Sequence, residues 1–148
     1  KKYIDFPIVI LFDSALEDID VLDLNIYWIE NLDNQGLFGN PIFITNQYTA
    51  AGSLRAFDID NDGDKDVLAA HYDDTNSKIS WYKNTDGAGL FASEQIITTQ
   101  VERVYEANAG DINNDGLLDV ISASSSDYKI AWYENGVLGI DDNNKQTA

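Results

Sequence analysis

The sequence predicts an all-β fold: β-propeller-type blades of four antiparallel strands, present as about three repeats. Three observations predict it. A tryptophan-centred segment recurs three times, 53 and then 51 residues apart. An acidic loop occurs twice, 53 residues apart. The segments between these landmarks are short, rich in β-branched and aromatic residues, bounded by turn clusters, and nearly free of helical periodicity.

The tryptophan segments are Ile26-Tyr-Trp-Ile-Glu-Asn31, Ile79-Ser-Trp-Tyr-Lys-Asn84 and Ile130-Ala-Trp-Tyr-Glu-Asn135, a common I-x-W-[YI]-[EK]-N. Asp33, Gly36, Leu37 and Phe38 recur as Asp86, Gly89, Leu90 and Phe91, and Ile44-Thr45 as Ile97-Thr98. The two residues by which the last spacing is shorter fall in the turn before Trp132, where a repeat of strands tolerates length change. Each unit therefore reads as four strands: one before the acidic loop, one after it, the tryptophan strand, and one after Gly-Leu-Phe. Four strands at this repeat length is the propeller-blade pattern.

Residues 1–48 read as a degenerate blade-like repeat, 49–101 as a blade with an acidic loop, 102–140 as a second such blade lacking its fourth strand, and 141–148 as a polar linker or tail. In the first repeat Phe12-Asp13 resembles Phe57-Asp58, and Asp18–Leu22 resembles Asp64–Leu68, so strands are expected on both sides of residues 14–17. Ser14-Ala-Leu-Glu17 replaces the glycine-bearing turn, which is strained for an L-residue. Asp13, Asp18 and Asp20 are accordingly not expected to hold an ion. The segment after Leu22 is also about seven residues short relative to the later repeats.

The acidic loops are Asp58-Ile-Asp-Asn-Asp-Gly-Asp-Lys-Asp66 and Asp111-Ile-Asn-Asn-Asp-Gly-Leu-Leu-Asp119. Oxygen side chains at positions 1, 3, 5 and 9, with glycine at 6 for the sharp turn, suit a hard cation such as calcium, which takes about 6–8 oxygen ligands. An EF-hand needs a bidentate Glu at position 12, where this chain has Ala69 and Ser122. A dockerin-type loop leads into a helix, whereas Val67–Tyr72 and Val120–Ser124 read as strands. Plain metal-free turns are disfavoured because five carboxylates within nine residues repel strongly without a cation. Two calcium ions are expected, acting as staples between strands.

Composition narrows the partners. The 148 residues carry a formal net charge of −17, which excludes a basic nucleic-acid footprint and disfavours docking on anionic lipid by charge. Two bound calcium ions would cut that charge to about −13. With no Cys, there is no disulfide framework, thiolate zinc site or thiol nucleophile. No stretch approaches the roughly 20 apolar residues of a membrane span. The start without Met or signal peptide reads as a mature or excised fragment.

At these residues the chain resembles the FG-GAP/VCBS repeat family, the calcium-loop blades also found in integrin α-subunit propellers, over roughly residues 3–140. The form is closer to bacterial VCBS repeats, since no Gly-Ala-Pro follows Phe38-Gly39. The resemblance implies that Asp58, Asp60, Asp62 and Asp66 ligate calcium through side chains and Asp64 through its carbonyl. In the second loop it implies Asp111, Asn113, Asp115 and Asp119, with Leu117 through its carbonyl. Leucine at that seventh position agrees with a carbonyl role. Three repeats do not easily close a ring of about 4–8 blades, so a partial propeller or one completed by a homo-oligomer is expected. Residues 136–148 resemble the junction ahead of a sorting domain in secreted bacterial proteins, which implies an extracellular or cell-surface location.

The resemblance implies an adhesion or binding module for a glycan or an extracellular protein, with no identifiable ligand-binding residues. The alternatives are the propeller portion of a polysaccharide-degrading, lyase-like enzyme, or a structural spacer in a surface protein. No nucleophile elbow, HExxH, P-loop or GxGxxG is present, so no catalytic residue is assigned. Trp28, Trp81 and Trp132 recur at one position, which favours blade packing, with Tyr82 and Tyr133 on the opposite strand face. His71, the one histidine, is expected at the surface or a blade edge.

Overall fold

The computed structural model describes residues 8–13, 24–33, 37–48, 51–136, 139–140 and 145–146. Every regular element among them is a β-strand, and the sheets are antiparallel. The chain divides into two compact units, residues 1–50 and 51–148.

In the first unit, β1 (Ile8–Asp13), β2 (Leu24–Ile29) and β3 (Ile42–Tyr48) form a three-stranded sheet in that order. β1 pairs directly with the tryptophan strand, Val9 opposite Trp28. The strand expected at Asp18–Leu22 lies outside the described residues, as do Asp18 and Asp20. The turn after β2 follows the later repeat bond for bond. Leu32 N–H donates to Leu37 O at 2.7 Å and Gly39 N–H to Glu30 O at 2.9 Å. Their counterparts are Thr85 N–H to Leu90 O and Ala92 N–H to Lys83 O, both 2.8 Å.

In the second unit, β4 (Ala51–Phe57), β5 (Asp66–His71), β6 (Lys78–Tyr82) and β7 (Gln95–Thr98) form the middle blade, paired in chain order. The last blade contains β8 (Val104–Gly110), β9 (Asp119–Ser124) and β10 (Lys129–Tyr133). A two-residue hairpin, β11 (Asn135–Gly136) with β12 (Gly139–Ile140), follows it. The reading of this blade as three-stranded, with a polar tail beyond it, is corrected here. β13 (Lys145–Gln146) pairs with β10, placing Gln146 opposite Ala131 and Lys145 opposite Trp132. An unpaired strand edge leaves a row of unsatisfied N–H and C=O groups, and the returning chain satisfies part of that row despite its polar sequence.

The two blades of this unit share one core, and its composition shows how they stack. Cross-strand partners share a sheet face. Leu68 with Trp81 and Ala70 with Ile79 make one face of the middle blade. Val120 with Tyr133 and Ser122 with Ala131 make one face of the last blade. Leu68, Ala70, Ile79, Trp81 and Ile97 form a single buried cluster with Val104, Ala107, Val120, Ala131 and Tyr133. The tryptophan face of the middle blade thus packs on the tyrosine face of the last. Full burial of a side chain such as Leu68 or Ile79 contributes about 1.5–3 kcal/mol. The tryptophan face of the last blade differs. There Ile121 and Ile130 are 38% and 62% exposed, and Trp132 is only half-buried. β9 accordingly alternates in burial, whereas every residue of β5 is buried.

That complete burial of β5 overturns the expectation of a surface His71, whose ring is 0% exposed. A strand interior to its sheet and covered on both faces has no solvent side for a polar residue. Its repeat counterpart, Ser124, is buried as well. His71 Nε2 lies 2.8 Å from Ser80 Oγ and 3.4 Å from Glu94 Oε1. Glu94 in turn accepts hydrogen bonds from Lys78 Nζ at 2.7 Å, Ser80 Oγ at 2.9 Å and the Tyr82 hydroxyl at 3.1 Å. Burial, and secondarily the Lys78 ammonium, push the imidazole down to about 4, with Glu94 opposing. The unfolded chain therefore takes up this proton first, and stability is lost as pH falls from about 6.5 to about 4, by up to about 3 kcal/mol. Urea unfolding at pH 7 and pH 4.5 should show a loss in the native chain exceeding that of His71→Gln by about 2 kcal/mol; equal losses would refute this role for the buried ring.

Candidate metal centres in the acidic loops

The loop joining β4 to β5 is wound around its own carboxylates. Asp58 accepts the N–H groups of Asp62 at 3.0 Å and Gly63 at 3.1 Å, and Asp62 accepts that of Asp64 at 3.0 Å. Asn61 and Gly63 both hold positive φ, 60° and 100°. These are the residue types that tolerate the left-handed region at least cost. The winding brings carboxylate oxygens of Asp58, Asp60 and Asp66 within 4.8 Å of one another. Asp64 directs its carboxylate elsewhere, against Gly87, where an added Cβ would stand 2.5 Å from Oδ1.

Asp66, fully buried at the start of β5, locks this loop to the sheet. Its carboxylate accepts the N–H of Ile59 at 2.9 Å and the N–H of Asn84 at 2.9 Å. Burial pushes its pKa up to about 6, against the pull of those two donors and with the charges of Asp60 and Asp62 adding to the rise. The Asp64 N–H, and next the Lys83 ammonium, hold Asp62 low. Hydrogen bonds to Asp60 and then Asp62 raise Lys83.

The loop joining β8 to β9 repeats the pattern almost atom for atom. Asp111 accepts from Asp115 N–H and Gly116 N–H, both at 3.1 Å, and Asp115 accepts from Leu117 N–H at 2.8 Å. Asn114 and Gly116 hold positive φ, 62° and 91°. Buried Asp119 accepts from Ile112 N–H at 3.1 Å and Asn135 N–H at 2.9 Å. Asn113 Oδ1 accepts from Asp115 N–H at 3.0 Å. The ten expected ligand positions therefore lie in two like-built loops, and among the described residues the carboxylates brought together are those of Asp58, Asp60 and Asp66.

Four further residues belong to these sites and were not assigned to them from the sequence. Asn84 and Asn135, two residues beyond the ends of β6 and β10, tie each loop down. Asn84 Nδ2 donates to Lys65 O at 3.3 Å; Asn135 Nδ2 donates to Leu118 O at 3.2 Å and, across to the middle blade, to Ile59 O at 2.7 Å. Lys83 and Glu134, one residue earlier, reach the loops themselves. The Lys83 ammonium pairs with Asp60 and with Asp62 Oδ2, the latter at 3.0 Å. Glu134 Oε1 accepts from Asn113 Nδ2 at 3.2 Å. The signal for all four was the recurring W-Y-[EK]-N, which gave a strand and its packing but not the contact of its last two residues with the loop.

Residues 58–122 match the family described as FG-GAP-like repeat. No curated protein and no solved structure gives a match. The donor set fits the calcium ion that such repeats imply. Its side-chain donors are hard carboxylate and amide oxygens, and Asp60 Oδ1 is buried without a hydrogen-bond partner among the described residues. The tether of Asn135 crosses between blades, because its buried amide donates to two carbonyls, Leu118 O in its own blade and Ile59 O in the middle one. Asn135→Ala should destabilise the chain by about 1–3 kcal/mol in urea unfolding; a change below about 0.5 kcal/mol would show that the tether carries little.

Proposed function

Because residues 58–122 are an FG-GAP-like repeat, we propose that this chain is a calcium-stabilised, extracellular module of β-propeller type that binds a ligand rather than transforming one. The observation that carries the reading is the pair of like-built loops, each clamped by a buried aspartate to the asparagine that follows the tryptophan strand of its own blade. An ion held by Asp58, Asp60, Asp62 and Asp66, with the Asp64 carbonyl, joins the first two strands of the middle blade. Asp111, Asn113, Asp115 and Asp119, with the Leu117 carbonyl, serve the last blade in the same way. The ions' role is structural. They offset part of the −17 charge and link folding to calcium, at the millimolar levels found outside cells.

A binding role agrees with the side chains at hand. The Ser80–His71–Glu94 cluster contains the residue types of a hydrolase, yet Ser80 and His71 are both 0% exposed, and Ser80 and Glu94 approach the same ring nitrogen. No hydroxyl is offered to a substrate there. At the strand ends away from the acidic loops, by contrast, Tyr72 and Tyr105 pair with ring centroids 4.7 Å apart, beside an Arg103–Asp74 ion pair. The exposed Tyr105 ring, backed by half-buried Tyr72 and flanked by charged hydrogen-bonding groups, suits the face and hydroxyls of a sugar, which favours a glycan as the ligand. The exposed tryptophan face of the last blade suits a further blade, supplied by the remainder of a longer propeller or by a second copy.

Chelation by EDTA should lower the melting temperature by about 5–10 °C. Asp62→Ala and Asp115→Ala should each remove one ion from the calorimetric stoichiometry, and an unchanged melt with no heat of binding would sink the calcium reading. A glycan array probed in calcium should show binding to at least one glycan class, weakened about tenfold by Tyr105→Ala. A blank array would exclude a glycan ligand.

A further inference from the structure

The two loops are alike in backbone but differ in the one side chain that reaches in from the tryptophan strand. Lys83 and Glu134 stand at the same register, between the tyrosine and the asparagine of W-Y-[EK]-N. Lys83 places its ammonium on Asp60 and Asp62, two of the four carboxylates of the first donor set. Glu134 places a carboxylate on Asn113, the third-position residue of the second set. One site therefore already holds a tethered positive charge, and the other holds an added negative one.

The charge count shows what this exchange does. The side-chain donors of the 58–66 loop bring four carboxylates, and those of the 111–119 loop bring three and an amide. On the loops alone the first is the more acidic. With Lys83 the first falls to −3, and with Glu134 the second rises to −4, so the flanking residue reverses the order. A divalent ion entering the first loop must also displace an ammonium already bonded to two of its ligands.

Resting on the calcium reading above, we infer that the residue after W-Y sets the cation affinity of each loop. Lys83 is a built-in counter-ion that holds the 58–66 loop together before calcium arrives and competes with it. Glu134 strengthens the 111–119 site. The 111–119 loop fills first, and the two sites load in sequence rather than together.

Calorimetric titration of the metal-stripped chain with calcium alone, at fixed ionic strength, reads this directly. Two steps are expected, with Asp115→Ala abolishing the tighter and Asp62→Ala the weaker. Lys83→Gln should tighten the weaker step about tenfold, and Glu134→Gln should weaken the tighter step by a similar factor. Melting adds a second readout that affinity alone does not give. Lys83→Gln should lower the melting temperature in EDTA and lose that deficit in saturating calcium. Two steps of equal affinity, loss of the weaker step in Asp115→Ala, or a weaker step indifferent to Lys83→Gln would overturn the inference while leaving calcium binding intact. No uptake of calcium at all would overturn both.

Discussion

Each acidic loop hangs on one buried aspartate. Asp66 and Asp119 begin the second strand of their blades, and each divides its two oxygens between a loop N–H and the N–H of the asparagine two residues beyond the tryptophan strand. Hydrogen bonds to a charged acceptor are roughly twice as strong as neutral ones, and a buried carboxylate is costly unless it is so bonded. The loop, the sheet and the adjoining turn therefore form one mechanical piece. The winding of each loop is anchored where that carboxylate sits, and in the first loop Asp58 and Asp60 converge on it. The other acidic residues lie nearer solvent and are positioned by the frame it fixes.

Much of this frame was legible in the sequence. The repeat spacing gave the strand order of the middle blade because each landmark marks one strand or one turn: Asp66 the second strand, Trp81 the third, Gly89-Leu90-Phe91 the way to the fourth. The D-x-[DN]-x-D-G-x-x-D spacing gave the loops, since the positive φ at Gly63 and Gly116 is a backbone requirement that leaves a mark in the residue type. Asn61 and Asn114 carry a second such requirement, hidden because asparagine is also an ordinary polar loop residue. His71 was misplaced for a different reason. Polarity reports exposure only when a strand has a wet side, and β5 has none. Lys83 and Glu134 were illegible as partners of the loops because 23 and 21 residues separate them from Asp60 and Asn113, and only the folded sheet brings them together.

The last strand and the first repeat show where pattern gives way to backbone accounting. Lys145-Gln146 has no apolar alternation to announce a strand, yet the open edge of β10 offers hydrogen bonds that any non-proline backbone can take. In the first repeat, the turn after Trp28 keeps the backbone bonds of its counterpart after Trp81, and β1 pairs directly with the tryptophan strand.

The tryptophan-on-tyrosine packing gives a blade two unlike faces, and the stack a direction. Two copies cannot satisfy each other by pressing like faces together about a two-fold axis, because the face bearing Trp132 is complementary to one of the Tyr133 kind and not to itself. Any association continuing this packing is head to tail. Such contacts are heterologous: they close into a ring when the rotation per blade divides the circle, and run on as an open helical assembly when it does not. The twist between successive blades, rather than the strength of any one contact, is then the quantity that decides between a finite particle and a fibre.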